Sequence, residues 1–276
     1  MPELPEVETI AQGLKPLLLG RVIARARVLD PISTPQGADL FARRLAKARI
    51  RDVRRRAKLL LLDLERPGKP DLFLAVHLRM TGGLVADLDS DEVRRFSRVR
   101  FELADGGSFV FTDIRRFGTC LALTAPELAS WPFFATLGPE PLEMDAEGFV
   151  GRFQGRNKAV KAALLDQTVL AGVGNIYADE SLFRAGIRPM AKAASLSAPR
   201  LQGLHRHLQE VLAQAIRENG SSIRDYRDAG GNAGAFQNSF RVYGRAGEPC
   251  VVCGTKLRGT KVGGRSTTYC PKCQKG

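Results

Sequence analysis

Two cysteine pairs near the end of the chain constrain its folding most. Cys250-Val-Val-Cys253 and Cys270-Pro-Lys-Cys273 are separated by sixteen residues. A C-x-x-C step in a tight turn aims two sulfurs at one point, and two such steps close a tetrahedral shell around Zn²⁺. Four protein ligands leave no position for water, so the spacing predicts one structural zinc. Two disulfides or a redox pair would use the same residues. The 276-residue chain has one further cysteine, Cys120, and opens with no leader-like apolar run, so thiolate ligands in a reducing cytoplasm are the expectation. Between the pairs, Thr255–Tyr269 reads as two short strands around Gly263-Gly264, with Arg265 held beside the tip.

This tail is basic. Residues 241–276 carry eight Lys/Arg against one Glu, and the whole chain carries 42 basic against 29 acidic residues, a net charge of +13. The charges cluster at Arg54-Arg55-Arg56-Ala57-Lys58, Arg94-Arg95, Arg98 with Arg100, and Arg115-Arg116. A clustered positive field fits a polyanion, and nucleic acid is favoured over a merely soluble basic surface. No apolar run reaches the ~18 residues of a membrane span.

Residues 1–124 read mostly as strands. Val22–Leu29, Leu59–Leu64, Leu72–Leu78, Val99–Leu103, Phe109–Thr112 and Thr119–Leu123 lie between Gly, Pro and Asp punctuation, as in a sandwich or barrel. Helices are predicted over Pro5–Leu19 and Asp39–Ala48. The proline-rich stretch 125–144 reads as a linker. Beyond it the pattern is helical over Ala146–Phe153, Ala159–Asp166, Asn175–Ala185 and Ala198–Asn219, giving a helical domain over 145–235 and a zinc hairpin over 236–276. The glycine-rich loop Asp228–Gly234 fits a surface loop or a lid equally well.

Several motifs carry chemistry. Gly172-Val-Gly-Asn-Ile-Tyr-Ala-Asp-Glu180 is a turn feeding a helix, where backbone N–H groups and the helix N-terminus suit a phosphate; a structural helix corner would look the same. His77-Leu-Arg-Met80-Thr-Gly-Gly83 and Asp113-Ile-Arg-Arg-Phe-Gly118 place an apolar residue beside arginine at a strand end. Either residue could be core or a wedge that unstacks a duplex. The opening, MPELPEVETI, reads as a capped helix start: Pro5 suits the first turn, and Glu6 and Glu8 suit the positive end of the dipole. It also fits a nucleophile. Once Met1 is removed, Pro2 exposes a secondary amine, which condenses with a sugar aldehyde to an iminium that cannot shed its charge through nitrogen.

Taken in order, MPELPEVET, RRRAKLLLL, HLRMTG, DIRRFG, GVGNIYADE, VYGR and the four-cysteine finger resemble the bacterial formamidopyrimidine-DNA glycosylase family over essentially the whole chain. The resemblance implies an α+β fold: an N-terminal β-sandwich with flanking helices, then a helical domain with a helix–two-turn–helix motif and a zinc finger, with damaged double-stranded DNA in the cleft between them. It implies a monomeric glycosylase and abasic-site lyase that excises oxidised purines and cleaves by β,δ-elimination. On matching positions, Pro2 would be the nucleophile, Glu3 the general acid, Glu6 a positioning carboxylate, and Lys58 a phosphate contact assisting elimination. Met80, Arg115 and Phe117 would fill the void left by the flipped base. His77, Asn175, Tyr177, Tyr243 and Arg265 would hold the kinked backbone, Arg265 also assisting the second elimination. Cys250, Cys253, Cys270 and Cys273 would hold the zinc. The glycine-rich loop after Tyr226 would be a lesion-covering lid.

One departure stands out. Many relatives carry His-Asp-His where this chain has Phe96-Ser97-Arg98, so the DNA contact of that first His does not transfer to Phe96, although Arg98 offers charge nearby. The sister branch acting on oxidised pyrimidines typically begins Met-Pro-Glu-Gly, whereas Leu4 here favours the purine branch. A noncatalytic zinc DNA-binding protein would need neither Pro2 nor Glu3.

Overall fold

Val7, Ile10, Leu14 and Leu18 recur at helical spacing, and the structure, a computed structural model, has them on the buried face of a helix, α1 (Leu4–Leu18). Residues 1–222 and 228–276 are described. They divide into two units: Met1–Ala135 with Glu218–Ala235, and Thr136–Arg217 with Phe236–Gly276.

The first unit is built on one eight-stranded sheet: β1 (Val22–Val28), β2 (Ala48–Arg56), β3 (Leu59–Glu65), β4 (Leu72–His77), β5 (Gly82–Ala86), β6 (Ser97–Leu103), β7 (Ser108–Asp113) and β8 (Thr119–Thr124). The order is β5-β7-β6-β1-β2-β3-β4-β8, and every neighbour is antiparallel. β4 and β5 stand six positions apart, yet only residues 78–81 join them. In a flat sheet six spacings would be about 29 Å, whereas five Cα steps reach about 19 Å at most. The sheet therefore curls on itself into the expected sandwich. One core lies inside it, fed by all eight strands, by α1, and by Phe41 and Leu45 of α2 (Ala38–Leu45).

The unbroken run Leu59–Leu62 is explained by burial on both faces. Leu60 and Leu62 point into that core, while Leu59 and Leu61 join Leu128, Trp131, Phe133 and Phe134 on the opposite face. These partners belong to the stretch that composition marked as a linker. Its first half instead forms helices, which with a short α3 (Asp91–Phe96) number α4 (Ala125–Ser130) and α5 (Pro132–Ala135). Their aromatic side chains cover an otherwise exposed apolar sheet face.

The second unit packs α6 (Ala146–Phe153), α7 (Val160–Leu165), α8 (Asn175–Arg184) and α9 (Ala198–Arg217) around Phe149, Phe153, Tyr177, Leu204, Leu208 and Phe236. Its hairpin, β9 (Arg258–Val262) and β10 (Arg265–Tyr269), turns at Gly263 and Gly264, whose φ angles of 56° and 73° are the left-handed pair a two-residue hairpin requires. The segment Glu218–Ala235, expected within the helical domain, groups with the first unit. Among the described residues no helix is long and apolar enough to cross a membrane.

Candidate functional site

The start of α1 is held by its own side chains. The Glu3 backbone N–H donates to Glu6 Oε2 at 2.8 Å, which gives the helix start a capping box. Glu6 Oε1 accepts from the Ser221 N–H at 2.8 Å and its hydroxyl at 3.1 Å. Gly220, at φ 74°, passes so close that a Cβ there would lie 2.9 Å from Glu6 Cγ. Pro2, Glu3 and Glu6 are all buried. One oxygen of Glu6 thus closes the first turn of α1, and the other ties that turn to Ser221.

The same end of the unit carries Lys58. Arg55 reaches Glu8 of α1 at 2.7 Å and also donates to the Ala57 carbonyl, placing the α1 N-terminus beside the β2–β3 turn. Ala57 takes φ 54° in that turn, and Lys58 follows it, buried. Leu59 pairs with His77, so Lys58 and His77 are brought to one sheet end. His77 Nδ1 accepts from the Arg79 N–H at 3.1 Å, which assigns the ring proton to Nε2. Burial, with the Arg79 and Lys58 cations adding to it, holds the imidazole down to about 3. His77 is therefore a neutral Nε2–H donor at physiological pH. The unfolded chain binds a proton near pH 6.5 that the folded chain refuses, so this stability is complete above that pH and lost as pH falls towards 3. Wild type should lose on the order of a few kcal/mol more than His77→Gln in this interval. Parallel denaturation curves for the two proteins would contradict this.

Two loops leave the same sheet end. Met80 and Phe117 stand 41% and 53% exposed, and Arg115 lies over the Phe117 ring at 4.8 Å. Neither apolar side chain is part of the core; both stand exposed at loop tips. Arg98, the charge beside Phe96, is directed inward. Its Nε donates to the Asp113 carbonyl at 2.8 Å, because the chain turns it towards Asp30, which also binds Arg116. Phe96 lines, with Thr81, Val93, Ile114 and Gly230, a cavity of about 250 Å³. The adjoining loop 228–234 is organised by Asp228, whose carboxylate accepts from the Gly230 and Asn232 N–H groups, and Ala229 packs on Gly13 of α1. Tyr226, on which the lid expectation was anchored, lies outside the described residues.

In the second unit one helix organises three expected contacts. Asn175, at the α8 N-terminus, donates to the Ser266 carbonyl at 3.0 Å. Asp179, one turn on, pairs with Lys161 at 2.7 Å and accepts from the Thr268 N–H. Lys161, fully buried, donates to the Ser266 carbonyl and Thr267 hydroxyl, so the hairpin carrying exposed Arg265 is pinned to α7 and α8. Glu180 gathers the N–H groups of Arg241, Val242 and Tyr243 at 2.8–3.1 Å. Tyr177 departs from its expected place. Its side chain is fully buried and stacks on Phe236, so the ring packs the core rather than meeting DNA.

The four cysteine sulfurs lie within 4.8 Å of one another, with Cys250–Cys273 at 3.9 Å and Cys253–Cys270 at 3.5 Å. Zn–S bonds of ~2.3 Å give tetrahedral edges of about 3.8 Å. The spacing fits one zinc and is too long for disulfides.

Comparison with known proteins agrees with this geometry. Residues 1–120 match the formamidopyrimidine-DNA glycosylase N-terminal domain, 137–227 the formamidopyrimidine-DNA glycosylase H2TH domain, and 247–276 the zinc finger found in FPG and IleRS. The formamidopyrimidine-DNA glycosylases of Nitratidesulfovibrio vulgaris and Geobacillus kaustophilus are 41% and 43% identical, each alignment covering 100% of both chains. The chain belongs to the formamidopyrimidine-DNA glycosylase family. A Lactococcus lactis enzyme solved with Fapy-dG-containing DNA superposes with a TM-score of 0.90 at 32% identity over 100% of both chains, and a Thermus thermophilus enzyme with 0.87 at 39% over 99% and 98%. As a member, the protein is a base-excision-repair DNA glycosylase and abasic-site lyase with one structural zinc. Five anchoring residues, Asp113 and Ser221 in the first unit and Lys161, Asp179 and Glu180 in the second, carry no role readable from the sequence. Four of them are an acid or lysine within an otherwise apolar or glycine-rich motif, and Ser221 has no such signal.

Proposed function

We propose that this glycosylase excises oxidised purines, 8-oxoguanine and ring-opened formamidopyrimidines, from double-stranded DNA and then cuts the abasic strand by β,δ-elimination. The reading is carried by the α1 start, where Pro2 and Glu3 are buried beside the Lys58 turn. The Pro2 nitrogen attacks C1′ as the glycosidic bond breaks, and the base leaves with the bonding pair and takes up a proton. Glu3 protonates the ring oxygen as the sugar opens, leaving the iminium. Loss of a C2′ proton expels the 3′ phosphate, and a second elimination expels the 5′ phosphate. Lys58 binds phosphate and assists the first elimination; Arg265 assists the second. Met80, Arg115 and Phe117 fill the void left by the extruded base. His77, Asn175 and Tyr243 hold the backbone. The protein acts as a cytoplasmic monomer.

Leu4 supports the purine branch over its pyrimidine sister. Duplexes with 8-oxoguanine opposite cytosine should be cut in preference to thymine-glycol duplexes, and the reverse preference would reassign the chain to the sister branch.

A further inference from the structure

Met80 and the Arg115–Phe117 pair lie on different loops, and filling one void requires the two loops to keep a fixed spacing. Neither loop is relaxed. Arg79 and Arg116, flanking the wedges, take φ angles of 52° and 59°, a region that side-chain-bearing residues seldom hold unless their surroundings impose it. Asp113, fully buried at the end of β7, supplies the constraint. Its Oδ1 accepts from the Thr81 hydroxyl at 2.5 Å and the Arg115 N–H at 3.1 Å. Its Oδ2 accepts from the Gly118 N–H at 2.7 Å. The Thr81 hydroxyl, having donated its proton, accepts in turn from the Arg115 N–H at 3.0 Å. The residue after Met80 is thus tied directly to the residue that begins the other wedge. Gly118 permits the close approach, since a Cβ there would stand 2.6 Å from Phe111 and 3.0 Å from the His77 carbonyl. Arg98 braces the knot from behind by donating to the Asp113 carbonyl.

We propose that Asp113, acting through Thr81, is a positioning residue that locks the two wedge loops in register for void filling; this rests on the assignment of Met80, Arg115 and Phe117 as the wedges. The carboxylate is needed for its charge pattern as well as its shape. An asparagine has one acceptor oxygen and one donor NH₂, so in either orientation one donor of the knot meets another donor.

The test compares elimination at a preformed abasic site in duplex DNA, which needs the void filled, with the same site in single-stranded DNA, which has no opposite strand. The duplex-to-single-strand ratio of rates should fall roughly tenfold in Asp113→Asn, the scale of losing a hydrogen bond to a charged group. Thr81→Val should fall in the same direction, and Thr81→Ser, which keeps the hydroxyl, should recover the wild-type ratio. Simple loss of folded protein lowers both rates together and leaves the ratio fixed. Phe117→Ala serves as the control. If Phe117→Ala lowers the ratio and Asp113→Asn does not, the role of Asp113 is overturned. If neither lowers it, the wedge assignment falls too.

Discussion

Borohydride should join this enzyme covalently to an 8-oxoguanine duplex, and the cross-link should be lost or cut at least ~100-fold in Pro2→Gly. The reduction captures the iminium between the Pro2 nitrogen and C1′. It therefore reports the bond that separates a lyase from a protein that merely holds DNA. A glycine in place of Pro2 leaves a primary amine, whose imine must be protonated before it can withdraw electrons. Glu3→Gln removes a general acid, and base excision should fall by about 10²–10⁴-fold. Because its amine is intact, Glu3→Gln should still be trapped on a preformed abasic site. The two variants thus fail at different steps. The chemistry also demands that Met1 be gone, since an acylated Pro2 nitrogen is an amide without a nucleophilic lone pair. Met1 is 46% exposed while Pro2 is buried, so the bond to be cut begins at the surface. The intact mass of the active protein should lack one methionine. If wild type fails to cross-link along with both variants, the catalytic role of the α1 start is wrong.

Much of this was legible in the sequence, and the illegible parts share a cause. The core strands announced themselves by composition, Leu59–Leu62 most of all. β5 and β2 did not, although Leu84 and Ala86 of β5 feed the core and β2 lies at the centre of the sheet. Its residues Ala48–Arg56 read as a charge cluster, and the alternation of Ala48, Ile50 and Val53 is broken by a bulge between Ile50 and Asp52. Residues that would touch DNA stand in motifs because they are arginines, glycines and aromatics at loop tips. Those that orient them do not. Asp113 drew notice only as the start of a run of arginines. Asp179 and Glu180 are both buried within a predicted helix, one tied to Thr268 and the other collecting three backbone N–H groups. No periodicity encodes that, because the partners lie 61–89 residues away in the chain. Arg98 is the opposite lesson: a charge noted beside Phe96 is turned inward by Asp30 and the Asp113 carbonyl.

Stripping the zinc should abolish tight DNA binding while leaving the first unit folded. The finger's own core is only Phe183, Val242, Leu257, Cys250 and Cys270, with the other two cysteines packed against it. So small an apolar cluster cannot offset the entropy of ordering the segment, and metal ligation on the scale of ~10 kcal/mol in finger peptides supplies what is missing. The consequences run through the hairpin. Once Cys250–Cys273 is disordered, Ser266, Thr267 and Thr268 no longer meet Lys161, Asn175 and Asp179. Arg265 then loses its fixed position. Affinity for an abasic-site duplex should fall on the order of 100-fold, the scale expected when several phosphate contacts go together. Cys270→Ser should behave as the stripped protein does. The chain contains a convenient control, for its one tryptophan, Trp131, packs on the outer sheet face of the first unit. Its emission should be unchanged when zinc leaves. Four thiols should become reactive, while fully buried Cys120 stays silent. Full affinity after stoichiometric zinc release would show that the hairpin holds its shape, and Arg265 its place, without the metal.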